Sequence, residues 1–126
     1  MTRPVRIVLV EDSEVFREAL ELLLGMRDDV EIVAAVGDGG DAVRATLEHE
    51  PDVVLMDFRL PGLDGVQATA AVREASPRTA VVALTASANA REMQALLEAG
   101  AAACLTKDSE LEEIVEAVLQ AATAAL

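Results

Sequence analysis

Two hydrophobic patterns alternate five times along the chain, and together they predict an α/β fold. Runs of consecutive apolar residues are typical of strands buried on both faces, and apolar residues three and four positions apart are typical of helices packed on a sheet. We expect parallel strands, helices on both faces and right-handed crossovers. The predicted strands are Val5–Val10, Val30–Val36, Asp52–Met56, Thr79–Thr85 and Ala102–Leu105. The predicted helices are Glu14–Met26, Gly39 to before Pro51, Gly65 to near Ala75, Asn89 to near Ala99, and a last helix that follows Ser109.

Residues at the helix starts support three of these boundaries. Asp64 and Asn89 are suitable N-caps for the helices that follow them. Ser109 and Glu112 have the spacing of a capping box at the start of the last helix. The apolar face of that helix comprises Leu111, Ile114, Val115, Val118, Leu119 and Ala122.

Five polar residues stand at the ends of four predicted strands. Glu11 and Asp12 come directly after the first strand, and Asp57 comes after the third. Thr85 ends the fourth strand, and Lys107, the only lysine in the chain, follows the fifth. The carboxyl ends of parallel strands meet at one edge, where open α/β sheets bind ligands. We therefore expect these side chains to converge.

Such a cluster suits a divalent metal and a phosphoryl group. A carboxylate such as Asp57 can act as a nucleophile and form an acyl phosphate. Glu11 and Asp12 can supply oxygen ligands to Mg²⁺. Lys107 and Thr85 can supply a positive charge and a hydroxyl to the phosphoryl oxygens. Taken singly, each residue has an ordinary explanation as a cap, loop or surface residue, so it is their common position at one edge that favours a site.

Size and composition agree with a single globular domain. The chain has 126 residues, 52% of them hydrophobic, and a formal net charge of −13. The negative charge argues against binding of nucleic acid or anionic membranes by this domain. No apolar stretch reaches the ~20 residues of a membrane span. The single cysteine, and a first strand that leaves no room for a signal peptide, predict a cytoplasmic protein.

These residues, in this order, resemble the receiver domain of bacterial two-component response regulators. The resemblance runs from Val5 to Leu119 and implies a flavodoxin-like, doubly wound (βα)5 three-layer sandwich. The implied order of its five-stranded parallel sheet is 2-1-3-4-5. The segments that carry the resemblance are Glu11–Asp12, Met56–Gly65, Leu84–Ala86 and Leu105–Lys107.

The resemblance also implies a role for each site residue. Asp57 would accept a phosphoryl group from a phosphohistidine of a sensor histidine kinase. Thr85 and Lys107 would contact that group and relay its presence, and the output would be dimerisation or release of an effector domain. The domain would catalyse only its own phosphorylation and dephosphorylation. The implied Mg²⁺ ligands are Glu11, Asp12, Asp57 and the backbone carbonyl of Arg59.

The residues after the lysine point to a subgroup. Lys107 is followed by Asp108 and Ser109 rather than by proline, which resembles the receivers of LuxR-type transcription factors. Those receivers normally precede a helix-turn-helix domain. We expect residues 1–126 to be a single receiver domain, either stand-alone or cut before a DNA-binding effector domain, and the output to be transcription.

Four positions leave parts of the mechanism open. Receivers commonly have a tyrosine or phenylalanine three residues before the lysine, and that ring swings inward when the threonine moves. This chain has Cys104 there, which we expect to be a small buried apolar residue, with redox sensing as the alternative. Arg59 and Ser87 occupy positions that influence the phosphoryl lifetime in the family, and we hypothesise that Arg59 modulates hydrolysis. His49 is expected to be a surface residue, not a phosphate carrier.

Two other functions fit parts of the pattern. A phosphatase with an aspartyl-phosphate intermediate would carry a second aspartate two residues after the nucleophile, where this chain has Arg59. A pseudo-receiver would be a protein-interaction module without phosphotransfer, and would usually lack one of the five site residues. None of the five is missing, so the pattern favours a phosphorylation-controlled switch.

Overall fold

Strands and helices alternate along the whole of the described chain. The computed structural model describes residues 3–86 and 89–124. Its strands are β1 (Val5–Val10), β2 (Val30–Val36), β3 (Val53–Asp57), β4 (Ala80–Thr85) and β5 (Ala103–Thr106). Its helices are α1 (Glu14–Gly25), α2 (Gly39–His49), α3 (Gly65–Ala75), α4 (Ala90–Glu98) and α5 (Leu111–Ala124).

The five strands form one parallel sheet in the order β2-β1-β3-β4-β5, which confirms the predicted fold. β3 pairs with β1 on one side and with β4 on the other. Because the strands run in one direction, their carboxyl ends lie at the same edge of the sheet. Within the described ranges, no helix is long and apolar enough to span a membrane.

Both faces of the sheet are covered by helices, which explains why the central strands are almost entirely apolar before their carboxyl ends. In β1, Ile7 and Leu9 pack with α1 and α5 in one cluster, while Val8 and Val10 pack with α2, α3 and α4 in another. Alternate residues of a strand point to opposite faces, so a strand buried on both sides needs apolar side chains throughout. This rigid core holds the strand ends in place.

Most predicted boundaries lie within one residue of the observed ones. β3 extends one residue further than predicted, so that Asp57 is its last residue rather than the first residue after it. β5 lies one residue later than predicted. Asp64 and Asn89 are confirmed as N-caps, because each side chain accepts backbone N–H groups of the helix it precedes.

The predicted capping box of the last helix was wrong. α5 begins at Leu111, and the N–H of Glu110 lies 3.4 Å from the carboxylate of Glu113. Glu112 does not reach back, because its carboxylate binds Arg27 at 2.7 Å. An ion pair with the loop after α1 thus replaces the local bond that the spacing of Glu112 suggested.

Candidate functional site

The first two acidic residues are held where β1 leads into α1. The N–H of Glu11 donates to the carbonyl of Val36 at 3.0 Å, which extends the pairing of β1 with β2 past the end of the strand. Glu11 is buried, and one of its carboxylate oxygens accepts the N–H of Ser13 at 2.8 Å. Ser13 in turn caps α1. Asp12, between them, is exposed.

Asp57 ends β3 at the centre of the same edge. The N–H of the next residue, Phe58, donates to the carbonyl of Leu84 at 3.0 Å, so the backbone around Asp57 is fixed on β4. The loop then folds back, and the N–H of Gly65 donates to the carbonyl of Phe58 at 2.6 Å. A Cβ at residue 65 would lie 2.6 Å from that carbonyl oxygen, so only glycine fits this approach.

Lys107 joins the two buried acids. Its Nζ lies 2.6 Å from Glu11 Oε1 and 3.1 Å from Asp57 Oδ2. The backbone N–H of Lys107 donates to the carbonyl of Thr85 at 2.8 Å, which ties the residue to the end of β4. The ring of Phe16, on α1, lies beneath the ammonium at 4.7 Å from its centroid. All five predicted polar residues are therefore at the carboxyl edge, with Thr85 buried.

The electrostatics of the cluster reflect its burial. Burial raises the pKa of Glu11, and the charge of Asp57 adds to this, against the opposing hydrogen bonds from Lys107 and Ser13. For Lys107, burial favours the neutral amine, but its hydrogen bonds to Glu11 and Asp57 outweigh that effect and raise its pKa. The ammonium is therefore charged, and it offsets the repulsion between the two carboxylates.

The three acids also have the arrangement of a metal site. One carboxylate oxygen from each of Glu11, Asp12 and Asp57 lies within 4.8 Å of the others. Three carboxylates and one ammonium leave two negative charges, which a divalent cation would balance. Oxygen donors of this kind fit Mg²⁺, which prefers hard ligands and retains several waters. The cluster can therefore bind a metal.

Two further residues reach the site without having been predicted there. Phe16 lies in the apolar pattern of the first helix, and nothing in its spacing indicates the contact with Lys107. Glu92 stands three residues after the cap Asn89, in the first turn of α4, and its Oε1 lies 3.6 Å from Nη2 of Arg59. Both contacts depend on how helices pack around the sheet edge, which local sequence does not specify.

The remaining predicted positions have separate outcomes. Cys104 is half-buried, and burial followed by the charge of Glu92 raises the pKa of its thiol, which agrees with an unreactive residue rather than a redox sensor. His49 is half-buried at the end of α2, where its carbonyl accepts a bond from Arg6 at the opposite edge of the sheet. Ser87 lies outside the described residues.

Comparison with known proteins identifies the family. Residues 7–119 match the response regulator receiver domain. The chain belongs to this family. It is 40% identical over 118 residues to a Mycobacterium tuberculosis protein named "Probable transcriptional regulatory protein NarL". The match covers 94% of this chain but only 55% of that protein. The receiver thus spans about half the length of the curated relatives it matches.

Solved structures agree with the receiver assignment. The signal receiver domain of NarL from Mycobacterium tuberculosis superposes with a TM-score of 0.92 at 38% identity, over 97% of this chain and 98% of that one. A LuxR-family two-component response regulator from Aurantimonas has a TM-score of 0.90 at 32% identity, over 96% and 86%. The receiver is therefore a signalling domain of the LuxR/NarL type.

A further similar structure contains a metal. The receiver domain of a sensor histidine kinase from Pseudomonas aeruginosa is 34% identical, with a TM-score of 0.79 over 95% of this chain and 98% of that one. In that protein a magnesium ion is coordinated in the active-site cleft.

Proposed function

We propose that this receiver accepts a phosphoryl group on Asp57 from a sensor histidine kinase, with Mg²⁺ bound beside it, and changes conformation to control an output. The observation that carries the proposal is the buried carboxylate of Asp57 at the centre of the sheet edge, 3.1 Å from a charged lysine and within reach of two further acids. Family membership supports the same reading.

The chemistry is a transfer between two nucleophiles. An oxygen of Asp57 forms a bond to phosphorus, while the bond from phosphorus to the imidazole nitrogen of the phosphohistidine breaks. The electron pair of that bond stays on the imidazole, which takes up a proton. Such a transfer needs positioning and neutralised charge more than covalent help from the protein. The burial of Asp57 and its fixed backbone supply the positioning.

The metal would be held by Glu11, Asp12, Asp57 and the backbone carbonyl of Arg59. When bound, Mg²⁺ supplies positive charge to the oxygens of the transferred group. Lys107 supplies the second positive charge, because its Nζ can keep Glu11 and exchange its contact with Asp57 for a phosphoryl oxygen. The backbone N–H of Lys107 donates to the carbonyl of Thr85, so a shift of the Lys107 backbone would also move the end of β4.

The kinase needs a docking surface beside the site, and α1 offers one. The helix starts near Asp12, and exposed apolar side chains lie one or two turns apart along it and at its C-cap: Val15 is 80% exposed, Leu22 69% and the C-cap residue Met26 77%. A row of large exposed apolar residues at helical spacing is typical of a helix that packs against a partner. We assign this face to the helices of the kinase that present the phosphohistidine.

The relatives support a transcriptional output, because those matched here are named as transcriptional regulatory proteins. The receiver accounts for about half of these relatives, so their effector function would lie outside it. Phosphorylation of Asp57 then controls transcription by favouring a receiver homodimer. Size-exclusion chromatography with light scattering, before and after phosphorylation, is expected to give a mass that doubles; an unchanged mass would remove dimerisation from the proposal.

The central claim is tested by mass. The chain is incubated with Mg²⁺ and acetyl phosphate, and intact-protein mass spectrometry is expected to detect one added phosphoryl group. Asp57→Asn and excess EDTA should each prevent the addition. A wild-type chain that stays unmodified would favour a protein-interaction module without phosphotransfer, and rapid turnover of unrelated phosphoesters would favour an enzyme.

Docking is tested with a phosphorylated sensor-kinase domain that transfers to the wild-type chain. Leu22→Asp on α1 is expected to slow transfer from the kinase at least tenfold and to leave modification by acetyl phosphate unchanged. Leu47→Asp on α2, where the side chain is 57% exposed, is the matched control and should affect neither reaction. Equal rates for the two variants with the kinase would place the docking surface elsewhere.

A further inference from the structure

Arg59 and Glu92 form an ion pair between the loop after Asp57 and the first turn of α4. The closest approach, 3.6 Å from Nη2 to Oε1, is longer than the hydrogen-bond range of about 2.7–3.2 Å. The attraction is therefore mainly that of two charges rather than a directional bond. The Arg59 side chain is 73% exposed, so it can leave Glu92 for another partner at little cost.

The side chain of Glu92 is less exposed to water than that of its partner Arg59. Asn89 already caps α4 by accepting the N–H groups of Arg91 and Glu92, so the carboxylate of Glu92 is not needed for the cap. Its Oε2 is buried, and no donor among the described residues contacts it. The charge of Glu92 also reaches Cys104, whose thiol pKa is raised by burial and then by this charge. The positive charge of Arg59 therefore offsets part of the cost of holding this carboxylate partly out of water.

Arg59 has a second acceptor within reach. The backbone N–H of Arg59 donates to Asp57 Oδ1 at 3.4 Å, so the residue, though not yet its guanidinium, borders the group that is to be phosphorylated. A phosphoryl group carries almost two negative charges and three acceptor oxygens, and a guanidinium can bind two of those oxygens at once. A phosphoryl group on Asp57 therefore attracts Arg59 more strongly than the single oxygen of Glu92 does.

We propose that Glu92 is a positioning residue of this site: it holds the guanidinium of Arg59 away from Asp57 until a phosphoryl group draws the arginine off, and its release loosens the first turn of α4. This inference rests on the proposed function. Without its counter-charge, the carboxylate of Glu92 turns out of the space beside Cys104 towards water, and the turn that carries it follows. The chain thereby acquires a switch at α4 that needs no aromatic ring at residue 104.

The ion pair is tested first in the unphosphorylated protein. Hydrogen exchange measured by mass spectrometry follows the amides of the first turn of α4. Arg59→Ala and Glu92→Gln are each expected to raise exchange there about threefold. Glu92→Asp, which retains the charge, should stay near wild type. Arg91→Ala removes an exposed arginine from the same turn and should have no effect. Unchanged exchange in Arg59→Ala would overturn the inference, whatever happens at Asp57.

The effect on the reaction is tested by a double-mutant comparison. With acetyl phosphate and Mg²⁺, Glu92→Gln is expected to speed phosphorylation of Asp57 about tenfold, because a freed guanidinium attracts the anionic donor. In an Arg59→Ala background the same change should have no effect. An equal acceleration in both backgrounds would show that Glu92 acts without Arg59 and would overturn the inference. A wild-type chain that takes up no phosphoryl group would overturn the proposed function, while the exchange data would still judge the ion pair.

Discussion

Two sets of ionic contacts flank Asp57, and they differ in almost every physical respect. On one side, Lys107 lies 2.6 Å from Glu11 and 3.1 Å from Asp57, and the two carboxylates are 2% and 5% exposed. On the other side, Arg59 lies 3.6 Å from Glu92, with its guanidinium largely in water. Charge attraction is strong where water is excluded and weak where it is not.

The difference separates two tasks. Under the proposed function, the buried contacts hold Asp57 in one geometry before any phosphoryl group arrives, which is what phosphoryl transfer requires. The exposed contact contributes little to stability, so it can be exchanged when a stronger anion appears. The proposed switch needs both kinds of contact, because fixed contacts alone would not transmit a change at Asp57 to the rest of the domain.

The largest effect is expected from removing the cation of the buried side. Lys107→Met leaves Glu11 and Asp57 facing each other without a counter-charge, and we expect the free energy of unfolding in EDTA to fall by about 3 kcal/mol. Added Mg²⁺ should restore part of the loss. Urea unfolding with and without Mg²⁺ measures both quantities. Arg44→Met, which breaks the exposed pair with Asp41, is the control and should change neither. A loss no greater than that of the control would mean that the two sides do not differ.

A smaller effect is expected from the ring beneath the ammonium. Phe16→Leu keeps an apolar side chain but removes the cation–π contact with Lys107, and we expect a loss of about 1 kcal/mol. Phe16→Trp should retain the contact. Phe58→Leu is the matched control, because Phe58 packs in the other core cluster. The discriminating measurement is a double-mutant cycle: in a Lys107→Met background, Phe16→Leu should cost less than in the wild type.

The exposed side should contribute least to stability. Arg59→Ala is expected to lower the free energy of unfolding by about 0.5 kcal/mol or less, because the pair is long and solvated. The same urea experiment measures it. A loss as large as that of Lys107→Met would contradict the division into a fixed and an exchangeable side.

The smallest effect sharpens the position of Glu92. The raised pKa of Cys104 means that its thiol stays protonated to higher pH than an unfolded cysteine, so near pH 9 its alkylation by iodoacetamide should be slower than in urea. Because burial is the larger cause, Glu92→Gln should shift the pH profile of alkylation only slightly downward. Glu98→Gln, at the far end of α4, is the control. Identical profiles for wild type and Glu92→Gln would show that the carboxylate does not face the thiol.

Much of the fold was predictable because it depends on simple patterns. β1 and β2 have the predicted bounds, since their apolar runs are interrupted sharply by acidic residues and by Gly37. The meeting of Glu11, Asp57 and Lys107 was predictable as well, because strands that run in parallel bring their ends to one edge. What these predictions used was the order of strands and the positions of charges.

The contacts that distinguish the two sides of Asp57 were not predictable. The direction of the Arg59 guanidinium depends on where α4 packs, and the contact of Phe16 depends on how α1 lies on the sheet. Glu112 illustrates the same limit. Its spacing from Ser109 predicted a local capping bond, but its carboxylate instead forms an ion pair with Arg27, which is distant in the sequence. Long flexible side chains choose partners in space, and spacing along the sequence does not record those choices.

The position of Lys107 near the end of the receiver has a consequence for how the domain folds during synthesis. Chains are synthesised from the amino end, so Glu11, which directly follows β1, is made long before Lys107, which directly follows β5. A growing chain therefore contains the acidic residues of the site before it contains Lys107, whose ammonium offsets their mutual repulsion. The cluster is completed only when β5 pairs with β4 at the edge of the sheet. A truncated or half-made receiver thus lacks the ion pairs of Lys107 with Glu11 and Asp57. Under the proposed function, the competence to accept a phosphoryl group arrives together with the end of folding of this domain.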